Sequence, residues 1–432
     1  MKLLKPIIFS LLLFILPISY ILIDSSLHKD SIKMAIGAKD GTYYQDALKY
    51  QKELRKEGIE LEIVPTKGSV EAQVMLLNSE VDFAFVQGGT ENPKVLALAN
   101  VEYEPIWIFY NDENISELKD LQGKKIAISQ KGSGIRPTAI ELLNLAGVNG
   151  FNSEFKNLAN HEALEQLKNK QIDAMFYVAS PHGSLVPKIM MLPNINLMSF
   201  NESESYKQFF IKKDKNFHIV HLYANGFDIQ KQIPKTKHTL LATTAILATY
   251  KSSKDMSRLM LQVASKVHSH VDIFHDEDTF PNASMLAIEE HQASKDYFKE
   301  KKHYYEEHYS FWTAQSMYRL QNFTFKFILP IVTLFAFFIE VFIPAYNLYT
   351  RRELDRWYYT INEIDTEIES LNLKEAKEKR EIVHDLFLEI RRTDDIPATH
   401  MELFYTLQNQ MVNVLNALDE QIERLTDYPR FK

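Results

Sequence analysis

The chain has 432 residues, 45% hydrophobic and 25% charged, which is the composition of a folded protein with about two or three domains. Its 49 Lys and Arg stand against 57 Asp and Glu, a net charge of −8, and this argues against a nucleic-acid partner because phosphate neutralisation needs a basic face. Cysteine is absent, which removes disulfides, thiolate metal sites and cysteine nucleophiles.

The first element is an apolar run without formal charge, Pro6 to Ile23, preceded by Lys2 and Lys5. About 18 helical residues at ~1.5 Å each reach roughly 27 Å, close to the hydrocarbon thickness of a bilayer. Ser19 to Asp24 lacks the small-x-small pattern of a cleavage site, so residues 1–23 are expected to be a retained transmembrane anchor or uncleaved signal.

From Ser31 short apolar runs alternate with amphipathic stretches. Strands are expected at Ile32 to Ile36, Leu61 to Val64, Asp82 to Val86 and Glu104 to Tyr110, with helices at Tyr43 to Glu57 and Val70 to Leu77. A second alternating block follows: strand Ile126 to Ser129, helix Thr138 to Leu145, helix Glu162 to Asn169 and strand Ala174 to Val178. A strand at Thr239 to Tyr250 and helices at Lys254 to His268 and Ser294 to Tyr318 close the region. Helix-covered, mostly parallel strands in two blocks predict an α/β domain over 24–325, with lobe I at about 31–110 and 238–325 and lobe II at about 111–200. Hinge closure is expected about strands near Glu104 to Asn111 and Asn201 to Lys237.

A second apolar run, Phe327 to Tyr346, gives a transmembrane helix over 326–346. Arg351, Arg352 and Arg356 follow it, and by the positive-inside tendency both termini are cytoplasmic, with 24–325 extracytoplasmic at the inner membrane. Glu340 lies within this span, and Pro330 and Pro344 are expected to bend it or mark its ends. In the tail, 347–432, Leu354, Trp357, Ile361, Ile364, Ile368 and Leu371 form a heptad seam. Phe404, Leu407, Met411, Val414, Leu418, Ile422 and Leu425 form a second stripe. A turn at Thr393 to Thr399 between them predicts a helical hairpin, packed on itself or dimerised as a coiled coil.

Candidate binding residues lie where small polar segments precede helices. Gly41-Thr42, Gly68-Ser69 and Gly132-Ser133-Gly134 each offer backbone N–H groups and a hydroxyl to an anion, and Arg136 offers a bidentate partner for a carboxylate. Histidine clusters carry no recognisable metal spacing: His268-Ser269-His270 places its rings on different helix faces, and neither it nor His303 with His308 has the His-Glu-x-x-His pattern. No metal, cofactor or catalytic group is expected, since no organised triad or nucleotide loop is present either.

These segments, in order, resemble a known family. Gly41-Thr42-Tyr43-Tyr44, Lys67-Gly68-Ser69-Val70-Glu71, Val81 to Gln87, Leu121-Gln122-Gly123-Lys124-Lys125-Ile126, Gly132-Ser133-Gly134-Ile135-Arg136 and Ile172 to Phe176 resemble the TAXI family of TRAP transporter solute-binding proteins. The resemblance implies the type II two-lobed periplasmic binding protein fold. It also implies binding of a small carboxylated solute such as an amino acid or organic acid, and delivery to a TRAP permease without catalysis. Gly41, Thr42, Tyr43, Tyr44, Gly68, Ser69, Gln87, Gly132, Ser133, Gly134 and Arg136 would then line the cleft. Ala38-Lys39-Asp40, Ala72 and Ile135 depart from the family pattern. The transmembrane helix, Arg351 to Tyr358 and the tail resemble a membrane-anchored subgroup. Two further readings of the same architecture are a ligand sensor or scaffold acting through the transmembrane helix, and a structural membrane protein that keeps a degenerate binding fold.

Overall fold

A computed structural model describes residues 30–39, 41–183, 185–284, 286–299, 304–392 and 396–426, with 15, 18 and 19 before them. Most of the first apolar run, Lys2, Lys5, His303, Asp40 and the start of the expected tail turn therefore lie outside the described residues. The chain divides into two compact units, 1–320 and 321–432.

In the first unit, β1 (Ser31–Ile36), β2 (Glu60–Pro65) and β3 (Phe83–Gln87) pair in parallel, joined by α1 (Thr42–Lys56) and α2 (Ser69–Leu77). Helix α1 buries Tyr43, Ala47, Tyr50 and Leu54, a stripe at spacings of three and four that faces the sheet. Gly58, at φ +78°, ends it, donating its N–H to Arg55 O while Ile59 N–H reaches back to Leu54 O.

Two long strands, β4 (Leu96–Tyr110) and β10 (His238–Thr249), carry the chain between lobes. β4 pairs with β10 over Leu96–Pro105 and with β7 (Ala174–Val178) over Ile106–Tyr110. β10 pairs with β3 over Ala245–Thr249 and with β9 (His218–Leu222) over His238–Ala242. Lobe II adds β5 (Lys125–Ala127), β6 (Glu154–Lys156), β8 (Asn196–Leu197), α3 (Ile135–Leu145), α4 (Asn160–Lys168), α5 (Val186–Met190) and α6 (Ser203–Ile211). The strand order is β2-β1-β3-β10-β4-β7-β5-β6, with β8 on β4 and β9 on β10. This is the type II two-lobed periplasmic binding protein fold.

The first crossing, at Pro105–Ile106 in β4, falls within the expected Glu104 to Asn111. The second lies between Ala242 and Ala245 in β10 rather than in Asn201 to Lys237, which belongs to lobe II. Phe210, Phe217, Val220 and Leu222 account for this, since all four are buried in the core built around Trp107. Lobe II thus runs from 106 to 242 rather than stopping near 200. Lobe I has apolar cores on both sheet faces, one around Tyr50 and Phe83, the other around Leu76 and Val86.

After β10, α7 spans Lys254–His268 as expected. The expected helix from Ser294 to Tyr318 is instead α8 (Gln292–Lys299), α9 (Tyr304–His308) and the start of α10 at Phe311. Trp312 Nε1 donates to Glu57 O and Phe311 N to Glu57 Oε2, both at 3.0 Å, which fastens this start to the end of α1.

Helix α10 is continuous over Phe311–Ser370, and among the described residues it is the one helix long and apolar enough to cross a membrane. Pro330 and Pro344 do not end it. The turns before each widen to π geometry, at Thr324–Ile328 and Phe338–Phe342, because a proline donates no N–H and its ring presses on the carbonyl four residues back.

Among the described residues the tail has three α-helices where the sequence predicts a two-helix hairpin. α11 (Leu373–Arg391) lies in sequence between the end of α10 and α12 (Met401–Thr426), and its Ala376, Val383 and Ile390 share one core with Trp357, Ile361, Leu407 and Met411. Asn372 starts α11: its side chain accepts from Lys374 N and Glu375 N at 3.0 Å, and Glu375 Oε2 accepts from Asn372 N at 3.1 Å. Asn372→Ala removes one arm of this capping box and should cost about 1 kcal/mol, or about fivefold faster exchange of α11 amides. Hydrogen exchange of the full chain checks this, and unchanged α11 protection would contradict it.

Candidate functional site

Parallel strands bring their carboxyl ends to the same side, and the helices that follow begin there. β1 leads to α1, β2 to α2 and β5 to α3, so three helix starts from two lobes meet across one cleft. Each has a glycine at its cap, Gly41, Gly68 and Gly134, and no cap side chain accepts a first-turn N–H. The cleft holds a cavity of about 670 Å³, solvent-open space included.

Gly41, Thr42, Tyr43, Gly68, Ser69 and Gln87 line it from lobe I, Ser133 and Gly134 from lobe II. Three expected residues are elsewhere. Tyr44 packs against the core of lobe I. Gly132, at φ +94°, places its Cα beside Lys67, and its carbonyl accepts from Glu71 N at 3.3 Å. Arg136 donates to Asn157 Oδ1 and, at 3.5 Å, to Ser129 O, because it is the second residue of α3 rather than part of the loop before it.

The lobes are closed on each other. Gln87 of lobe I donates from Nε2 to Gly134 O at 3.3 Å and Thr138 Oγ1 at 3.2 Å, both in lobe II. Its backbone N donates to Ser69 Oγ at 2.8 Å, which ties the end of β3 to the start of α2. A Cβ on Gly68 would stand 2.7 Å from Ser133 Cα, so backbone meets backbone there.

A carboxyl group lines this cavity that the sequence reading places only at a strand start. Glu104, 3% exposed, accepts from Tyr43 Oη at 2.7 Å. Burial pushes its pKa up to about 8, the Tyr43 hydrogen bond works against this, and the nearby Asp46 charge adds to it. Burial and the facing Glu104 likewise raise the Tyr43 hydroxyl well above its ordinary value. The signal in the sequence is Glu102 and Glu104 alternating within an otherwise apolar stretch, which puts both on one face of β4. Lys67, Ser129, Gln130 and Asn160 also line the cavity and were not singled out from sequence. The lining therefore offers a buried carboxyl on one side and N–H and hydroxyl donors on the other.

The profile of the NMT1-like family matches residues 34–301. No curated protein matches the sequence. Among solved structures, the amino acid ABC transporter substrate-binding protein AbpA from Streptococcus pneumoniae, bound to L-arginine, is 16% identical, with a TM-score of 0.38 over 55% of this chain and 89% of that one. The GluR0 ligand-binding core from Nostoc punctiforme in complex with L-glutamate is 12% identical, with a TM-score of 0.37 over 55% of this chain and 92% of that one. The periplasmic aliphatic sulphonate binding protein SsuA from Escherichia coli is 12% identical, with a TM-score of 0.36 over 56% of this chain and 70% of that one.

Proposed function

Because the chain belongs to the NMT1-like family, we propose that it is a membrane-anchored extracytoplasmic solute-binding protein whose cleft closes on a small amino acid. The observation that carries this reading is the pairing of opposite chemistries across one closed cavity. The glycine-capped starts of α1, α2 and α3, with the Thr42, Ser69 and Ser133 hydroxyls, suit a carboxylate. Glu104, held by Tyr43, suits an α-ammonium group. An organic acid without an amine would use only the first half of this site. Arg136 has no place in it, being committed to Asn157.

The resemblance to the TAXI family implies delivery to a TRAP permease, and α10, with Arg351, Arg352 and Arg356 after its apolar part, supports anchoring with the tail in the cytoplasm. A second reading, a sensor that uses the same domain, is favoured by the buried core that the tail builds for itself around Trp357, Ile361, Leu407 and Met411. A permease gene beside this one supports transport, and its absence supports sensing.

Thermal unfolding of the chain against a panel of amino acids and mono- and dicarboxylates tests the binding itself. A solute at ~100 times its dissociation constant adds about 2.7 kcal/mol of stability. A folded chain that ignores the whole panel would overturn the proposal in favour of a degenerate binding fold.

A further inference from the structure

A second cavity, of about 580 Å³ with solvent-open space included, is lined by lobe I together with His182 of lobe II, and Thr42 is the one described residue that lines both it and the cleft. Asp46 of α1, Glu102 of β4 and His268 at the end of α7 meet in it, each with a potential ligand atom, all within 4.8 Å of one another. Two ligands on opposite sides of a cation at ~2.0–2.4 Å are themselves about 4.0–4.8 Å apart, so one ion can bridge the group.

The side chains are buried at 3%, 6% and 7% exposure, yet Asp46 Oδ2, Glu102 Oε1 and His268 Nε2 have no hydrogen-bond partner. Asp272 Oδ1, which lines the same cavity, is buried and unpartnered as well. Native structures rarely leave one such atom unsatisfied, and here these four and Thr42 Oγ1 share a cavity. Charge points the same way: three carboxylates face the single ammonium of Lys49, which bonds only the other oxygen of Asp46, at 2.8 Å. The imidazole of His268 is fixed between Tyr50 and Phe85, whose ring centroids lie 5.7 and 6.4 Å away.

We propose that Asp46, Glu102 and His268 bind a divalent transition-metal cation, with Asp272 as a further oxygen ligand or as the carboxylate that orients the surrounding histidines. Asp272 Oδ2 lies 3.5 Å from His182 Nε2 and 3.7 Å from His275 Nε2, while its Oδ1 is unpartnered. One imidazole with two or three carboxylates suits a borderline cation such as Zn²⁺ over Ca²⁺ or Mg²⁺, which prefer oxygen alone. The ligands come from separated parts of the chain, so no local spacing announces them and the sequence reading expects no metal. The proposal does not depend on what the cleft binds.

The test uses the untagged full chain, stripped with chelator and titrated with Zn²⁺ by calorimetry, with zinc X-ray absorption on the product. The expected result is one tight Zn²⁺ per chain in a shell of one imidazole and otherwise oxygen, and affinity at least ~100-fold weaker in the near-isosteric variants Glu102→Gln and His268→Gln. Far-UV circular dichroism shows whether each variant is folded, and the absorption spectrum of the unmutated chain stands without them. No Zn²⁺ binding, a shell of two or more imidazoles, or unchanged affinity in a folded variant would overturn the proposal.

Discussion

Gly68→Val should leave a folded chain whose cleft no longer closes, and solute affinity should fall at least ~100-fold. Gly68 has φ +139° and ψ −168°, a backbone region open in practice to glycine alone, and it caps α2. Its Cα also faces lobe II so closely that a Cβ would sit 2.7 Å from Ser133 Cα and 3.3 Å from Gly132 O. Both obstacles are backbone, so no rotamer change relieves them, whereas opening at Pro105–Ile106 and Ala242–Ala245 does. If the closed state falls to about 1% of the population, apparent affinity drops about 100-fold even though every ligand contact survives. Gly58→Ala is the control: Gly58 also has positive φ, but nothing lies within 4 Å of an added Cβ. Its variant should lose some stability and keep its solute-induced thermal shift, while Gly68→Val loses the shift. Retention of the full shift by Gly68→Val would contradict the closed geometry.

Trp107→Ala should cost about 3–5 kcal/mol, the range for removing a large buried aromatic. Trp107 stands just past the β4 crossing, fully buried, with Nε1 donating to Ala179 O at 2.9 Å. Its ring is parallel to that of Phe109 at a centroid distance of 6.3 Å, and Phe227 and Phe274 pack at 6.2 and 6.1 Å. Truncation therefore opens a cavity where the two lobes' sheets join and leaves the Ala179 carbonyl without its partner. Trp107→Phe refills most of the space and loses only the hydrogen bond, so about 1–2 kcal/mol is expected. Urea unfolding checks both, and a loss below about 1 kcal/mol for the alanine variant would contradict the place given to Trp107 in the core.

Local periodicity was a good guide where a segment lies within one lobe. Ala174 to Val178 and Lys254 to His268 have the observed bounds, and the helix starts at Thr42 and Ser69 fall where the Gly-Thr and Gly-Ser pairs place them. It failed in the first half of β4, where polar positions interrupt a strand that serves two lobes. β4 begins at Leu96, but Asn100, Glu102 and Glu104 interrupt its apolar pattern, so the strand reads as starting at Glu104 and the charged positions read as its edge. They are instead interior, Glu104 toward the solute cleft and Glu102 toward the second cavity. Helix α11 was hidden for a related reason: its buried Ala376, Val383 and Ile390 recur only every seventh residue among Lys and Glu. Arg136 shows the limit of motif transfer, since its neighbour Ser133 lines the cavity while the first turn of α3 commits its guanidinium to Asn157.

The most direct measurement compares an amino acid with its des-amino analogue, glutamate against glutarate for instance, by calorimetry on the unmutated chain and on Glu104→Gln, using the amino acid that the thermal panel identifies. The account predicts that losing the amine weakens binding at least ~10-fold on the unmutated chain, as expected when the amine's contact with the buried Glu104 carboxyl is lost, and that Glu104→Gln abolishes the preference. Equal affinity for the two solutes, or a preference that survives Glu104→Gln, would contradict it.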